Sequence, residues 1–201
     1  MINPYHLPQH LIKETIWRIK NNANNIFLTF DDGPNPSTTP YILDVLDQND
    51  IKATFFCIGK NVERHPALFD DIILRGHAVG NHTYSHLKGW RCSNEEYIND
   101  INLAAEYIQG KLFRPPYGQM KLSQIKLLRD HYKIFFWSVL SWDFNESLSA
   151  KTCVKRVVPK TRSGDIIVFH DSSKAFERLQ GALPIAIKKL QNKEFNFCLI
   201  K

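Results

Sequence analysis

Short, almost wholly apolar runs alternate along the chain with longer stretches in which apolar residues recur every three or four positions. Ile26 to Phe30 is the first such run, and Gly33 and Pro34 stop it with turn chemistry, so it reads as a strand ending in a tight turn. Ile42, Leu43, Val45 and Leu46 mark one face of a helix that ends near Asn49, with Ser37 or Thr39 as its cap and Pro40 in its first turn. Ala53 to Ile58, closed by Gly59, has the pattern of a strand covered on both faces. A helix over 66–75, closed by Gly76, and a short strand from His77 to Gly80 follow. Ser93, Asn94, Glu95 and Glu96 spell a capping box ahead of a helix whose stripe, Tyr97, Ile101, Ala104, Ala105 and Ile108, runs to Gly110. Past Phe113, the pattern predicts a helix over 123–131, a covered strand over 134–139, a helix over 150–158 and a strand over 165–171. A last helix near 184–191 and a strand near 195–200 finish the chain.

Strand–helix alternation of this kind argues for an α/β fold with a mainly parallel sheet and helical crossovers. The polar motifs sit just after strands, and at least four different strands are followed by one. That favours a barrel, whose site is built from the carboxyl ends of several strands, over an open doubly wound sheet with a single switch point. The chain is short for eight complete units. Residues 1–25 are polar and read as an N-terminal arm rather than core, leaving 26–201 as one catalytic domain.

Composition adds few constraints. With 43% hydrophobic and 23% charged residues in 201, the chain is an ordinary globular domain able to bury one full core. A formal charge of +6 is spread without any block of like charges, so it reads as general solubility and not as a nucleic-acid footprint. Cys57, Cys92, Cys153 and Cys198 are widely spaced and read as buried free thiols. The first 17 residues, broken by Pro4 and Pro8, contain no apolar core of a signal peptide or membrane span, from which a cytoplasmic protein is expected, an exported or leader-trimmed chain being the alternative; a monomer is expected.

Candidate chemistry begins with Asp31 and Asp32, adjacent carboxylates at a strand's end. Like charges this close raise one pKa unless a cation compensates. His82 and His86 stand four apart, a spacing that brings two imidazoles to one metal, and Asp32 would add an oxygen; such a set leaves coordination positions open for water and substrate. The division that follows has Asp32 as a ligand and Asp31 free as a base. Arg114, after a different strand, is the candidate counter-cation for Asp31, a surface arginine being the alternative. His170 ends a buried strand. Asp143 is placed either to orient it as a general acid or to pair with Arg114. Trp137, Trp142 and Phe144 read as core or as a platform for stacking on sugar.

These residues together resemble the polysaccharide deacetylases of carbohydrate esterase family 4, the NodB homology domain. The resemblance covers about 26–200 and all five of that family's motifs in order: TFDDGP at 29–34, HTYSH at 82–86, RPPYG at 114–118, SWDF at 141–144 and IIVFH at 166–170. It implies a distorted, incomplete (β/α) barrel of seven or eight strands. It also implies a divalent metal, most often zinc with cobalt or nickel as substitutes, on Asp32, His82 and His86. Asp31 resembles the family's base and His170 its acid, Arg114 and Asp143 the residues that steady them, and the Tyr117 amide its oxyanion donor. The implied reaction is hydrolysis of N-acetyl groups from amino sugars in chitooligosaccharide, peptidoglycan or a related glycan, releasing acetate. An O-acetyl esterase on xylan-like carbohydrate and a glycan-binding relative without turnover are the alternatives. Phe144 and Val168 depart from the family's usual tryptophan and leucine, which bears on pocket shape.

Overall fold

The computed structural model describes residues 13–21 and 23–201. Nine strands and seven α-helices alternate through them: β1 (Thr15–Ile16), β2 (Asn25–Asp31), α1 (Thr39–Gln48), β3 (Thr54–Cys57), α2 (Gly59–Arg64), α3 (Pro66–Leu74), β4 (Ala78–Asn81), α4 (Asn94–Ala105), β5 (Leu112–Phe113), α5 (Leu122–Leu128), β6 (Lys133–Phe135), β7 (Val139–Leu140), α6 (Ala150–Val157), β8 (Ile166–His170), α7 (Phe176–Gln191) and β9 (Asn196–Phe197). The sheet runs β1-β6-β5-β4-β3-β2-β8-β7, with β9 added against the start of β2, and every strand pairing in it is parallel.

The order makes this a curled, incomplete barrel. β6 and β7 lie toward opposite ends of the sheet, yet only 136–138 separate them in sequence. Phe136 still donates its N–H to Ile16 on β1 at 2.8 Å, and Ser138 already donates to Ile166 on β8 at 3.1 Å. The continuous apolar run over 134–139 therefore is not one strand, as its composition predicts, but two short ones on either side of a seam. A period-2 pattern cannot register that break, because both halves are buried. The segment after β1 helps close the seam: Arg18 bridges Asp165, and Ile19 donates to the Gly164 carbonyl at 2.9 Å. Part of the stretch read as an arm is thus built into the barrel, with the Trp17 ring stacked on Phe136 at 4.3 Å. The rest of that stretch, residues 1–12 and 22, lies outside the described residues.

Side-chain alternation on β2 sorts the two faces. Ile26, Leu28 and Phe30 join the apolar layer under α1, α6 and α7, whereas Phe27 meets Phe56, Phe135 and Ile166 inside the barrel. The next inward positions are Thr29 and Asp31, so the barrel's interior row turns polar as it reaches the carboxyl end.

Several helices differ from their predicted bounds. Ser93 does form a full capping box with Glu96, but α4 ends at Ala105 instead of Gly110. Neither Ser37 nor Thr39 caps α1; Asn35 organises that turn, its carbonyl accepting the Thr38 and Thr39 N–H groups. α2 has no counterpart in the predicted elements. α7 starts two turns before the proline that reads as its first turn. Pro184 lies inside it, and the Gln180 carbonyl that loses its helical partner accepts the Tyr41 hydroxyl at 3.1 Å. Cys57 and Cys153 are buried free thiols as expected, while Cys92 and Cys198 are only half-buried. No helix among the described residues is long and apolar enough to cross a membrane.

Candidate active site

Asp31 is the last residue of β2 and belongs to its inward row, where it is 4% exposed. Arg114, just past β5 and wholly buried, donates through Nη1 to Asp31 Oδ1 at 2.6 Å and to Thr29 Oγ1 at 2.7 Å. Its Nη2 donates to the Phe136 carbonyl at 3.1 Å, and the guanidinium lies 4.0 Å from the centre of the Phe56 ring. The surface-arginine alternative is therefore excluded. A fully desolvated Arg–carboxylate contact of this kind is strong and directional.

Asp32 has left the strand, and its backbone sits at φ 82°, in the left-handed region. That rotation sends its carboxylate away from Arg114 and toward the loop after β4. Asp32 Oδ1 lies 3.1 Å from His86 Nε2 and 3.7 Å from His82 Nε2, and the three residues offer ligand atoms within 4.8 Å of one another. His82 Nδ1 is 2.7 Å from the Arg114 carbonyl oxygen, which can only accept, so the proton is on Nδ1 and the Nε2 lone pair is directed at Asp32. Burial pushes the His82 pKa down to about 4, keeping the ring neutral at neutral pH. Burial by itself would raise the Asp32 carboxyl, but the His86 hydrogen bond and the neighbouring His170, His86 and His82 hold it well below the ordinary range. One carboxylate and two imidazoles with the second nitrogen of His82 already occupied form a donor set that fits a divalent ion such as zinc.

His170 closes β8 beside Asp31, its register partner on β2. Its ring Nδ1 is 2.7 Å from Asp143 Oδ1, and its backbone N–H donates to the other oxygen of Asp143 at 2.9 Å. Asp143 thus pairs with His170, which decides between the two partners open in sequence. It is itself fully buried, with Ser141 Oγ donating to Oδ1 at 2.7 Å. Burial opposes protonation of His170, yet the charge and hydrogen bond of Asp143, with Asp32 and Asp31 nearby, raise its pKa to about 9. A histidine held protonated at neutral pH can donate, which is what a general acid must do.

Tyr117 sits in a turn at φ 59° with its ring 4.6 Å from that of His86. Gly118 and Gln119 donate their N–H groups to Pro115 and Pro116, whereas no hydrogen bond among the described residues ends on the Tyr117 N–H. Among the described residues, five of the seven non-glycine residues at positive φ, Asp32, Thr83, His86, Tyr117 and Trp142, lie in or beside these motifs, and strain concentrated this way is a mark of a functional site.

The eight residues singled out in sequence therefore come together. Asp31, Asp32, His82, His86, Tyr117 and His170 line one cavity of about 490 Å³, with Arg114 and Asp143 buried directly behind them. Trp137, Trp142, Phe144, Leu140 and Val168 supply its apolar wall. Trp137, Trp142 and Phe144 are lining residues and not plain core, with the Phe144 ring edge-on to His170 at 4.9 Å. Sequence reasoning missed Gln119, Ser172 and Lys174 on the same cavity. It also missed two buried polar groups, Thr29 under Arg114 and Asp171 behind the turn, although Asp171 directly follows a motif histidine. Burial, physically the largest influence on Asp171, pushes its carboxyl up to about 8.

A profile of the family described as polysaccharide deacetylase matches residues 18–132. The chain belongs to the polysaccharide deacetylase family. Within it, the chain is 33% identical to a peptidoglycan-N-acetylglucosamine deacetylase of Bacillus cereus over 92% of its own length and 90% of that protein. Other curated relatives are longer, and the chain spans as little as 38% of their length. Among solved structures, a peptidoglycan N-acetylglucosamine deacetylase in complex with an N-oxidanyl-benzamide compound superposes with TM-score 0.87 at 32% identity, over 93% of this chain and 91% of that one. A mutant of a carbohydrate esterase family 4 pseudoenzyme, described as having restored enzymatic activity, superposes with TM-score 0.82 at 26% identity over 92% of this chain and 69% of that one. Deacetylase relatives with the shared barrel thus include both active enzymes and a protein without native turnover.

Proposed function

We propose that the chain is a metal-dependent N-deacetylase that hydrolyses N-acetyl groups from N-acetylglucosamine-type residues of peptidoglycan, chitooligosaccharide or a related glycan, releasing acetate. One observation carries the reading: a metal-fitting Asp–His–His group and two separately partnered acid–base residues, Asp31 on Arg114 and His170 on Asp143, face the same cavity. A protein that only held a glycan would have no use for a buried arginine and a buried aspartate committed to those two groups.

Asp32, His82 and His86 would hold the ion, with zinc as the proposed native metal and cobalt or nickel as substitutes. Bound there, it supplies Lewis acidity toward the acetamide oxygen and acidifies water. Asp31, its geometry set by Arg114, accepts the proton of the attacking water. The Tyr117 N–H donates to the developing oxyanion, a contact typically worth about 3 kcal/mol in the transition state. His170, held protonated by Asp143, gives its proton to the departing amine nitrogen, without which an amide leaves poorly. Trp137, Trp142 and Phe144 offer the sugar ring apolar faces and limit water around the reacting carbonyl.

The test is acetate release from N-acetylated chitooligosaccharides, peptidoglycan fragments and acetylated xylan after loading with zinc, cobalt or nickel. Release from the N-acetylated glycans is expected. Release from xylan alone would replace this reading with an O-acetyl esterase, and no release from any substrate would leave a glycan-binding relative.

A further inference from the structure

Gly33 follows Asp32 in the turn that closes β2, and its backbone is not in the left-handed region, so conformational freedom does not explain the residue. Space does. A Cβ at position 33 would overlap Asp171 Oδ2 and lie 2.8 Å from Asp171 Cγ. Asp171 is fully buried and takes no part in the proton transfers above. Its backbone N–H donates to the Asp31 carbonyl at 2.7 Å, and its Oδ2 accepts the Thr39 hydroxyl at 2.5 Å. Thr39 Oγ1 in turn accepts the Asn35 N–H at 2.7 Å. The carboxyl therefore ties the end of β8 to the start of α1 across the back of residues 31–35. Its Oδ1 is buried and, among the described residues, makes no hydrogen bond of ordinary geometry, although the Thr38 side chain also acts on the carboxyl.

We propose that Asp171 is a positioning residue: its carboxyl, packed on the Cα of Gly33 and hydrogen-bonded to Thr39, holds the turn that points Asp31 at Arg114 and Asp32 at His82 and His86. The inference rests on the deacetylase reading for its kinetic consequence only. Neighbouring carboxylates separated by one rotated peptide are sensitive to small displacements, since an ångström lost at either group lowers the rate far more than it lowers substrate binding. Among the described residues other than the glycine's own chain neighbours, the three atoms nearest the added Cβ all belong to Asp171.

The experiment compares Asp171→Asn, Asp171→Ala, Thr39→Val, Gly33→Ala and the double variant Gly33→Ala/Asp171→Ala. Readouts are melting temperature, the Kd for cobalt(II) added alone, and kcat and KM for acetate release. Asp171→Asn keeps the shape and a group that accepts from Thr39, so cobalt Kd, kcat and KM are expected within threefold of wild type at pH 7. Asp171→Ala is expected to lower kcat 10- to 100-fold with KM within twofold and to weaken cobalt binding about tenfold in a folded protein. Gly33→Ala should do the same, and the double variant should be no worse than Gly33→Ala alone, because the added methyl then has room. Wild-type kcat and cobalt affinity in Asp171→Ala, or losses that multiply in the double variant, would overturn the proposal. If Asp171→Ala does not fold, Thr39→Val removes the hydroxyl that links Asp171 to the Asn35 N–H while keeping the side chain's shape; a three- to tenfold fall in cobalt affinity supports the clamp and an unchanged value refutes it. A wild-type protein that binds cobalt but releases no acetate would sink the deacetylase reading while the cobalt data still judge Asp171.

Discussion

Asp31 and Asp32 differ by one peptide and by everything around them. The first is an inward residue of β2 against a buried guanidinium, and the second is turned by its φ of 82° toward two imidazoles. Asp31→Asn is therefore expected to lower kcat by about 10²- to 10⁴-fold, the usual worth of a general base, while cobalt(II) affinity stays within a few-fold of wild type. His82→Ala should abolish both, and isothermal titration with cobalt beside an acetate assay separates the two cases. His170 makes a second prediction. Its pKa is raised to about 9, so it is a proton donor below that pH, and kcat should fall as pH rises through about 9. Asp143→Asn removes the charge that raises it, moving that alkaline limb down toward the ordinary histidine value of about 6.5. A limb that stays in place in the variant would remove His170 from the role of acid.

At the scale of elements, local chemistry was legible wherever a signal was complete within a few residues. The Ser93–Glu96 capping box is such a signal, with reciprocal hydrogen bonds of 3.1 and 2.7 Å. Ser93→Ala should cost about 1 kcal/mol in denaturant unfolding and leave kcat unchanged, because neither Ser93 nor Glu96 lines the cavity. Elements whose fate depends on a distant partner were not legible. Pro184 marks a helix start in sequence, yet α7 runs through it because Tyr41, far along the chain, satisfies the carbonyl that a proline leaves without its N–H. Thr39 reads as a cap and instead serves Asp171. The run over 134–139 reads as one strand and is cut by the barrel seam.

For the whole molecule, two titratable groups at one cavity, Asp171 raised by burial and His170 raised, against its burial, by the Asp143 carboxylate, set how stability should vary with pH. Asp171 and His170 both have folded-state pKa values above their unfolded ones, about 8 against 3.8 and about 9 against 6.5. The folded state holds those protons more tightly, so their contribution is fully present below the unfolded values and is lost as pH rises through 8 and 9. The metal-free protein is expected to melt at a lower temperature at pH 9 than at pH 7, by several degrees. Asp171→Asn, which has no proton to lose, should reduce that difference, and thermal melts in matched buffers measure it. Equal melting temperatures for the wild type at the two pH values would contradict the raised pKa values of Asp171 and His170.

The fold class, the five motifs and the residue types needed for hydrolysis were determined by sequence alone, because apolar runs, turn residues and motif spacing are local properties of the chain. Which side chain faces which was decided only by tertiary structure. The pairing of Asp143 with His170, the buried bond from Arg114 to Asp31 and Thr29, the seam between β6 and β7, and the contact of Asp171 with Gly33 all join residues far apart in sequence. Such contacts depend on how the sheet curls and on which groups it removes from water. Neither is written in any one stretch of the chain.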